Sequence, residues 1–264
     1  MIIASVSTIP GRLEGLMTVL EKFQMQTKRP DKLLVIVAKY YPRMDRGYPE
    51  EDKNRLIEYL SKYSIPNELI VLDKDIGPSV KLTVPLKYLE DLSDSKSNND
   101  DVIFIFDDDS IPYVHAIEFL YDMYQKHGDA AWGLMGVSQD EEEQPKFLHG
   151  EFIQDRDFMT VDVLGGYRGV LYPVHIFTNG EPSLKKWLTP FLDRHEQENL
   201  IAMHDDHLFA YYCQYKNIER RVIRLQNGNG YLFYEPLSNT DGIFNDERSG
   251  KSFELITQIM GELI

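Results

Sequence analysis

The stretch Val102–Tyr113 constrains the fold of this chain more than any other part of the sequence. It begins with five apolar residues in a row, all β-branched or aromatic, which is typical of a buried parallel strand. Three carboxylates, Asp107–Asp109, follow with no basic residue beside them. Ser110 is a good helix N-cap, and Pro112 suits a first helical turn. The stretch therefore predicts a strand, an acidic corner and then a helix.

An acidic corner at the end of a buried strand is a candidate binding site. In open α/β sheets, ligands bind beyond the carboxyl ends of the strands. Three carboxylates packed there repel one another, and a divalent cation with a phosphate ligand would relieve that repulsion. The alternative is a solvated acidic turn in which Asp109 only helps to cap the helix. Because the corner ends a buried strand, we favour the metal site.

Length and charge limit the classes of protein to consider. The 264 residues can bury one substantial α/β core, and the 42% hydrophobic and 27% charged content is that of an ordinary globular protein. The net charge of −15 argues against nucleic acid or an anionic membrane as a general partner. A site for an anionic phosphate would therefore need a local metal ion or lysine.

Cysteine content and the first residues predict the compartment. Cys213 is the only cysteine, so an internal disulfide is excluded and a reducing compartment fits best. Residues 1–7 lack the basic region and long apolar core of a leader and predict a first strand instead. No apolar run approaches the length of a membrane span. We therefore expect a soluble, cytoplasmic protein with no membrane span.

Apolar runs and helical periodicity alternate over the first ~125 residues. This alternation predicts a Rossmann-like, mostly parallel sheet flanked by helices. The predicted strands of this half are 2–6, 33–37, 69–72 and 102–106. The predicted helices are 13–26, 56–63, one that follows Gly77-Pro78 and contains Pro85, and one after the acidic corner.

The second half of the sequence is less regular. It predicts a short strand at 134–137, a solvated charge run at 140–143, helices at 181–193 and 204–216, and a closing helix at 253–264. Residues 227–230 predict a hairpin between two short strands. The segment Gly165–Gly169 holds three glycines, which indicates backbone that approaches a ligand closely. We expect a single domain, 1–264, with a regular half to about residue 125 and a less regular half from residue 126.

Three further motifs carry candidate chemistry. The loop after the first strand, 7–12, lacks the GxGxxG pattern, so a dinucleotide is disfavoured. Lys81 is predicted one turn into a helix and suits a phosphate there, although most lysines are simply exposed. Asp205 and Asp206 open a helix and predict either a general base or a favourable charge at the helix N-terminus. The flanking His204 and His207 are metal ligands or ordinary polar residues.

Several of these motifs occur in an order that resembles GT-A-fold glycosyltransferases, and the family 2 group in particular. The resemblance rests on five segments and covers about residues 1–220. They are 7–13 (STIPGRL), Gln26 with Pro30-Asp31, 75–82 (DIGPSVKL), 106–113 (FDDDSIPY) and 205–208 (DDHL).

The resemblance implies a role for each motif. The acidic corner would be the DxD motif, in which Asp109, with Asp107, ligates Mn²⁺ or Mg²⁺ on the nucleotide diphosphate. Asp107 and Asp108 would contact the ribose or the waters of the metal, and Asp206, beside Asp205, stands where inverting members keep their catalytic base. The nucleotide side would comprise Thr8, Ile9, Pro10, Arg12, Gly77 and Lys81. A third metal ligand stays open between His204, His207 and neither, and residues after Leu225 match no part of the family that we can place.

Together with these observations, the resemblance implies a metal-dependent, inverting glycosyltransferase with a nucleotide-binding half to about residue 125 and a sugar and acceptor half from residue 126. It would transfer a hexose-type sugar from a nucleotide diphosphate donor, expected to be a UDP-sugar, to a hydroxyl acceptor such as a glycan, with inversion. The glycine-rich segment would line the sugar side through Gly165, Gly166, Tyr167 and Arg168. The alternatives are a metal-dependent phosphohydrolase that acts on nucleotide sugars or phosphate esters and a non-catalytic nucleotide-sugar-binding module.

Overall fold

A computed structural model describes residues 1–92, 100–138, 146–150, 155–198, 204–225 and 248–263. The helices are α1 (Leu13–Phe23), α2 (Glu50–Ser61), α3 (Val80–Leu92), α4 (Ala116–His127), α5 (His175–Thr178), α6 (Leu184–Gln197), α7 (Asp205–Tyr215) and α8 (Arg248–Leu263). The strands are β1 (Ile2–Ser7), β2 (Lys32–Ala38), β3 (Asn67–Leu72), β4 (Val102–Ile105), β5 (Ala131–Gly133), β6 (Met135–Ser138), β7 (Lys146–His149), β8 (Phe158–Thr160), β9 (Val163–Leu164), β10 (Val170–Pro173) and β11 (Arg220–Ile223).

The central sheet has eight strands in the order β3-β2-β1-β4-β10-β5-β11-β8. β3, β2, β1 and β4 pair in parallel, as the alternation of strands and helices predicts. β10 pairs antiparallel with both β4 and β5, and β8 pairs antiparallel with β11. The sheet is therefore mixed but mostly parallel, which confirms the predicted α/β class. A second sheet has the order β7-β6-β9.

The strands at the centre of the sheet are mostly apolar because helices cover both faces; Ser5 of β1 is a buried exception. On one face, α1, α2 and α4 pack against strand residues such as Ala4 and Phe104. On the other face, α3, α6, α7 and α8 pack against alternate residues such as Ile3 and Ile103. Burial on two sides explains why β1, β2 and β4 read as continuous apolar runs.

The helix after the acidic corner begins later than the sequence predicts. Ser110 is not its N-cap, because α4 begins at Ala116 and His115 precedes it. The intervening backbone is held by the end of α1: Gln26 donates to the Tyr113 carbonyl at 2.5 Å. Pro112 also disfavours the helical conformation at the residue before it. Residues 110–115 are therefore not helical, and the chain turns into α4 only after them.

The second half is irregular in the way that the sequence predicts. Helices α6, α7 and α8 are present near the predicted positions, and the glycine-rich segment forms a 3₁₀ turn, Gly166–Arg168, between β9 and β10. The predicted charge run at 140–143 and hairpin around 227–230 lie outside the described residues. In the part of the chain that the structure describes, every helix is too short or too polar to span a bilayer.

Candidate active site

The acidic corner lies at the edge of the sheet where the parallel strands end. β1 and β4 are adjacent and parallel, so the loops that follow them meet at this edge. The side chains of Asp107 and Asp109 are each about 30% exposed, whereas Asp108 is buried. The alternative of a solvated acidic turn is therefore wrong for the middle residue of the corner. The two outer carboxylates remain accessible from the cleft.

Asp108 joins the corner to the loop after β1. Its two carboxylate oxygens accept hydrogen bonds from the Thr8 hydroxyl at 2.6 Å and from Arg12 Nη1 at 2.7 Å. Burial raises the pKa of Asp108, while the Arg12 guanidinium and the Thr8 hydroxyl oppose that rise. Arg12 also lies 3.6 Å from Asp109. In this structure Thr8 and Arg12 thus fix the acidic corner against the first loop.

Lys81 is buried in the same cleft, with only 4% of its surface exposed. Because α3 begins at Val80, the lysine is the second residue of the helix and not one turn into it. Its ammonium donates to Asp107 Oδ1 and lies 3.1 Å from Asp205 Oδ2. Burial alone would lower the pKa of Lys81, but the charges of Asp107, Asp205 and Asp206 raise it well above its usual value. The alternative of an ordinary surface lysine is therefore wrong.

The acid pair opens α7, as predicted, and faces the glycine-rich turn. The Gly166 amide donates to both oxygens of Asp206, each at 3.1 Å. A Cβ at Gly166 would lie 2.8 Å from Asp206 Oδ1, so this position has no room for a side chain. Burial, and then the charge of Asp205, raise the pKa of Asp206 well above its ordinary value. A carboxylate in this state is a better proton acceptor near neutral pH.

One cleft brings together most of the predicted site residues. Thr8, Ile9, Arg12, Gly77, Lys81, Asp107, Asp108, Asp109 and Asp205 all line it. Asp206 and Gly166 lie next to this group through their hydrogen bonds and their proximity to Lys81. Pro10 is a buried member of the first loop, and its carbonyl accepts a hydrogen bond from Arg46 at 3.0 Å. Gly165, Tyr167 and Arg168 belong to the same turn as Gly166 but are not part of the cleft wall.

Asp75, Arg43 and Tyr41 are among the cleft residues that the sequence analysis does not assign to the site. Asp75 accepts a hydrogen bond from the Gly77 amide at 3.1 Å, and Gly77 has a φ of +98°, which favours glycine. Arg43 and Tyr41 line the cleft from the loop after β2. Burial raises the pKa of Asp75, and the Gly77 amide and Arg43 oppose that rise. The available signal is the Asp-x-Gly spacing of 75–77, which belongs to the resemblance segment 75–82, although only Gly77 and Lys81 of that segment are assigned to the site.

The exposed carboxylates of the corner suit a hard divalent cation. Mg²⁺ and ions like it prefer oxygen ligands and are usually held by one or two carboxylates together with the phosphates of a substrate. Asp107 and Asp109 supply such a pair beside the cleft. Within the described ranges, no group of three or more His, Cys, Asp or Glu side chains could hold a metal ion. The residues present therefore fit a cation that shares its coordination with a bound phosphate.

The two histidines beside the acid pair pack against α8. The ring centroids of His207 and Phe253 are 5.0 Å apart, and those of His204 and Phe253 are 5.5 Å apart. Burial, together with the neighbouring His204, lowers the pKa of His207 to about 4. A neutral, packed His207 is consistent with the alternative of a structural role, and the third metal ligand stays unassigned.

Comparison with known proteins places the fold. No family model and no curated protein sequence matches the chain. A solved structure of the mannosyltransferase PcManGT from Pyrobaculum calidifontis in complex with GDP-Man and Mn²⁺ matches with a TM-score of 0.50 and 12% identity, over 92% of this chain and 59% of that one. The structure of GalNAc-T7 with UDP, GalNAc and Mn²⁺ matches with a TM-score of 0.59 and 11% identity, over 90% of this chain and 46% of that one. The chain thus has a GT-A-type glycosyltransferase fold, as predicted, and spans about half the length of these two proteins.

Proposed function

We propose that this chain is a metal-dependent glycosyltransferase that transfers a hexose-type sugar from a nucleotide diphosphate donor to a hydroxyl acceptor. The single observation that supports this most is the convergence of Asp107, Asp109 and Lys81 in one cleft next to the acid pair of α7. The fold adds support, because the two solved structures described above hold Mn²⁺ with a nucleotide or nucleotide sugar.

The donor nucleotide is expected to lie along the loop after β1 and the loops after β2 and β3. The cleft has an apolar wall there, formed in part by Ile36, Val37 and Leu72, which suits a base and ribose. Thr8, Ile9, Arg12 and Gly77 also line the cleft, and the Pro10 carbonyl ties the same loop to Arg46. We keep UDP as the expected nucleotide, with GDP as the alternative to test, since the two similar structures hold one each.

Asp109, with Asp107, is proposed to hold Mn²⁺ or Mg²⁺ against the diphosphate. A cation bound there would neutralise charge that develops on the leaving diphosphate. The chain supplies the accessible carboxylates, and Asp108 keeps their backbone in place through Thr8 and Arg12.

Asp206 is proposed to remove the proton from the acceptor hydroxyl as that oxygen attacks the anomeric carbon, which inverts the configuration. Its raised pKa and the two hydrogen bonds from Gly166 support this role, because the amide orients the carboxylate while burial makes it a stronger base. Gly165, Gly166, Tyr167 and Arg168 are proposed to line the sugar side. Asp205 contributes by its contact with Lys81.

The chain is further proposed to form one domain that works in the cytoplasm. β10, from the second half, pairs with β4, from the first half, so both halves contribute to one sheet. The single, buried Cys213 fits a reducing compartment.

A thermal-shift screen followed by a turnover assay tests this function. Nucleotide sugars are added with Mn²⁺ or with EDTA, and a ligand at a hundred times its Kd should stabilise the protein by about 2.7 kcal/mol. The donor that stabilises only with Mn²⁺ is then incubated with and without acceptor hydroxyl compounds. Transfer to an acceptor supports the proposal. Metal-dependent hydrolysis that no acceptor diverts would support the phosphohydrolase, and binding with no turnover would support the binding module.

A further inference from the structure

Lys81 lies where three parts of the chain meet. Its ammonium donates a hydrogen bond to Asp107, which follows β4. The same ammonium lies 3.1 Å from Oδ2 of Asp205, the first residue of α7. The position that a Cβ of Gly166 would take is 3.8 Å from the same nitrogen. A buried lysine thus joins the acidic corner, the acid pair and the glycine-rich turn.

Two cations contact the carboxylates of the acidic corner, one on each side. Arg12 lies 2.7 Å from Asp108 and 3.6 Å from Asp109, on one side of the corner. Lys81 takes Asp107 and Asp205 on the other side. An ionised carboxylate that is buried without a partner carries a large free-energy cost. This ammonium offsets that cost for the buried Asp205, and it also contacts the partly exposed Asp107.

We propose that Lys81 is a positioning residue whose ammonium holds Asp107 against Asp205 and supplies the positive charge of this region until a divalent cation binds. The proposal rests on the proposed function, because it takes the acidic corner as the cation site. It differs from the expectation that the lysine acts on the donor diphosphate. A lysine that contacts Asp107 competes with a divalent cation for that carboxylate. A lysine that contacts the donor diphosphate would instead help the nucleotide to bind.

The competition predicts the direction in which cation affinity changes. In Lys81→Met, the cleft loses a positive charge and keeps all its carboxylates, so Mn²⁺ alone should bind at least about tenfold more tightly, equivalent to about 1.4 kcal/mol. The same variant should unfold at a lower temperature in EDTA, and Mn²⁺ should recover more of its stability than it adds to the unsubstituted protein. A merely structural lysine would lower the unfolding temperature without changing the affinity for Mn²⁺.

Two more variants make the test specific. Lys81→Met/Asp205→Asn removes one charge of each sign, so in EDTA its unfolding temperature should lie above that of Lys81→Met. Lys32→Met is the matched control, because Lys32 also contacts a carboxylate, Glu68 at 3.1 Å, but at the start of β2. It should leave the affinity for Mn²⁺ unchanged.

The experiment is a calorimetric titration of Mn²⁺ without nucleotide into the three variants and the unsubstituted protein, with thermal unfolding in EDTA and in Mn²⁺. Tighter binding to Lys81→Met together with recovery in the double variant supports the proposal. Equal or weaker binding to Lys81→Met, or a double variant no more stable than the single one, overturns it. A parallel titration of UDP with Mn²⁺ into the unsubstituted protein separates the two claims, because metal-dependent nucleotide binding there preserves the proposed function even if the lysine proposal fails.

Discussion

At the scale of single residues, the two acids that open α7 differ in their contacts. Asp206 accepts the amide of Gly166 through both oxygens, whereas Asp205 is buried and lies 3.1 Å from the ammonium of Lys81. The sequence predicts one motif for the pair, either a general base or a favourable charge at the helix N-terminus. The structure gives the two residues separate environments, and separate substitutions should therefore have separate effects.

Asp206→Asn should abolish most sugar transfer and spare the fold. An asparagine oxygen can still accept from Gly166 but cannot take a proton, so transfer should fall by about 10² to 10⁴ while donor binding is unchanged. Asp205→Asn should instead lower stability by about 1–3 kcal/mol, because a buried ammonium loses a charged partner. Donor affinity, transfer rate and denaturant unfolding of both variants check this. Near-normal transfer by Asp206→Asn, or a product with retained anomeric configuration by NMR, would contradict the assignment of the base.

His207 should make stability depend on pH. Burial and His204 lower its pKa in the folded protein to about 4, below the ~6.5 of an unfolded histidine. The contribution of neutral His207 to the free energy of unfolding is therefore complete above about pH 6.5 and is lost as the pH falls towards 4. The loss is a few kcal/mol at most. Unfolding of the unsubstituted protein and His207→Gln in EDTA should give stability curves that converge as the pH falls through this window. Parallel curves would mean that His207 does not titrate in this way.

At the scale of elements, the loop after β1 is tied to the end of β4 by a buried hydrogen bond. Thr8 donates to Asp108 at 2.6 Å, and its carbonyl accepts from the Tyr41 hydroxyl at 2.8 Å, so β1, β4 and the loop after β2 meet there. The sequence predicts these elements but not their connections. Partners that are 100 residues apart leave no local pattern.

Thr8→Val should show how much this connection contributes. Valine has a similar shape but no donor, so a buried carboxylate loses a hydrogen bond and the protein should lose about 1–3 kcal/mol. Thr27→Val is the matched control, because Thr27 donates to Glu118 at a similar 2.7 Å but at an exposed site, where a change within about 0.5 kcal/mol is expected. Denaturant unfolding measures both. Equal losses in the two variants would contradict the importance of burial at Thr8.

The limits of sequence reasoning also appear at this scale. The strands β1, β2 and β4 and the start of α7 were predicted because apolar runs and helix-opening acids are local signals. The late start of α4 was missed, because the contact of Gln26 with Tyr113 that holds the chain is not local. The burial of Lys81 was missed for the same reason, since its partner Asp205 lies far along the sequence.

At the scale of the whole molecule, the fold concentrates scattered acids at one edge of a sheet. The chain has 43 acidic and 28 basic residues, so an anionic donor meets an unfavourable field over most of the surface. Arg12 and Lys81 offset this locally but already contact carboxylates of the site. A divalent cation at Asp107 and Asp109 would supply the missing positive charge. The acidic composition predicts that a site for an anionic donor needs added positive charge. The parallel strands determine where that site lies, because their ends bring the carboxylates together.

The most direct test of the account is a calorimetric titration of UDP, with GDP as the second nucleotide, in Mn²⁺ and in EDTA. At least one of the two should bind about tenfold or more tightly with Mn²⁺, and Asp109→Asn should remove most of that difference. Asp157→Asn is the matched control, because Asp157 is an exposed carboxylate that contacts Lys126 away from the cleft, and it should behave like the unsubstituted protein. Equal affinity in Mn²⁺ and in EDTA for both nucleotides would contradict the assignment of a metal-dependent nucleotide site.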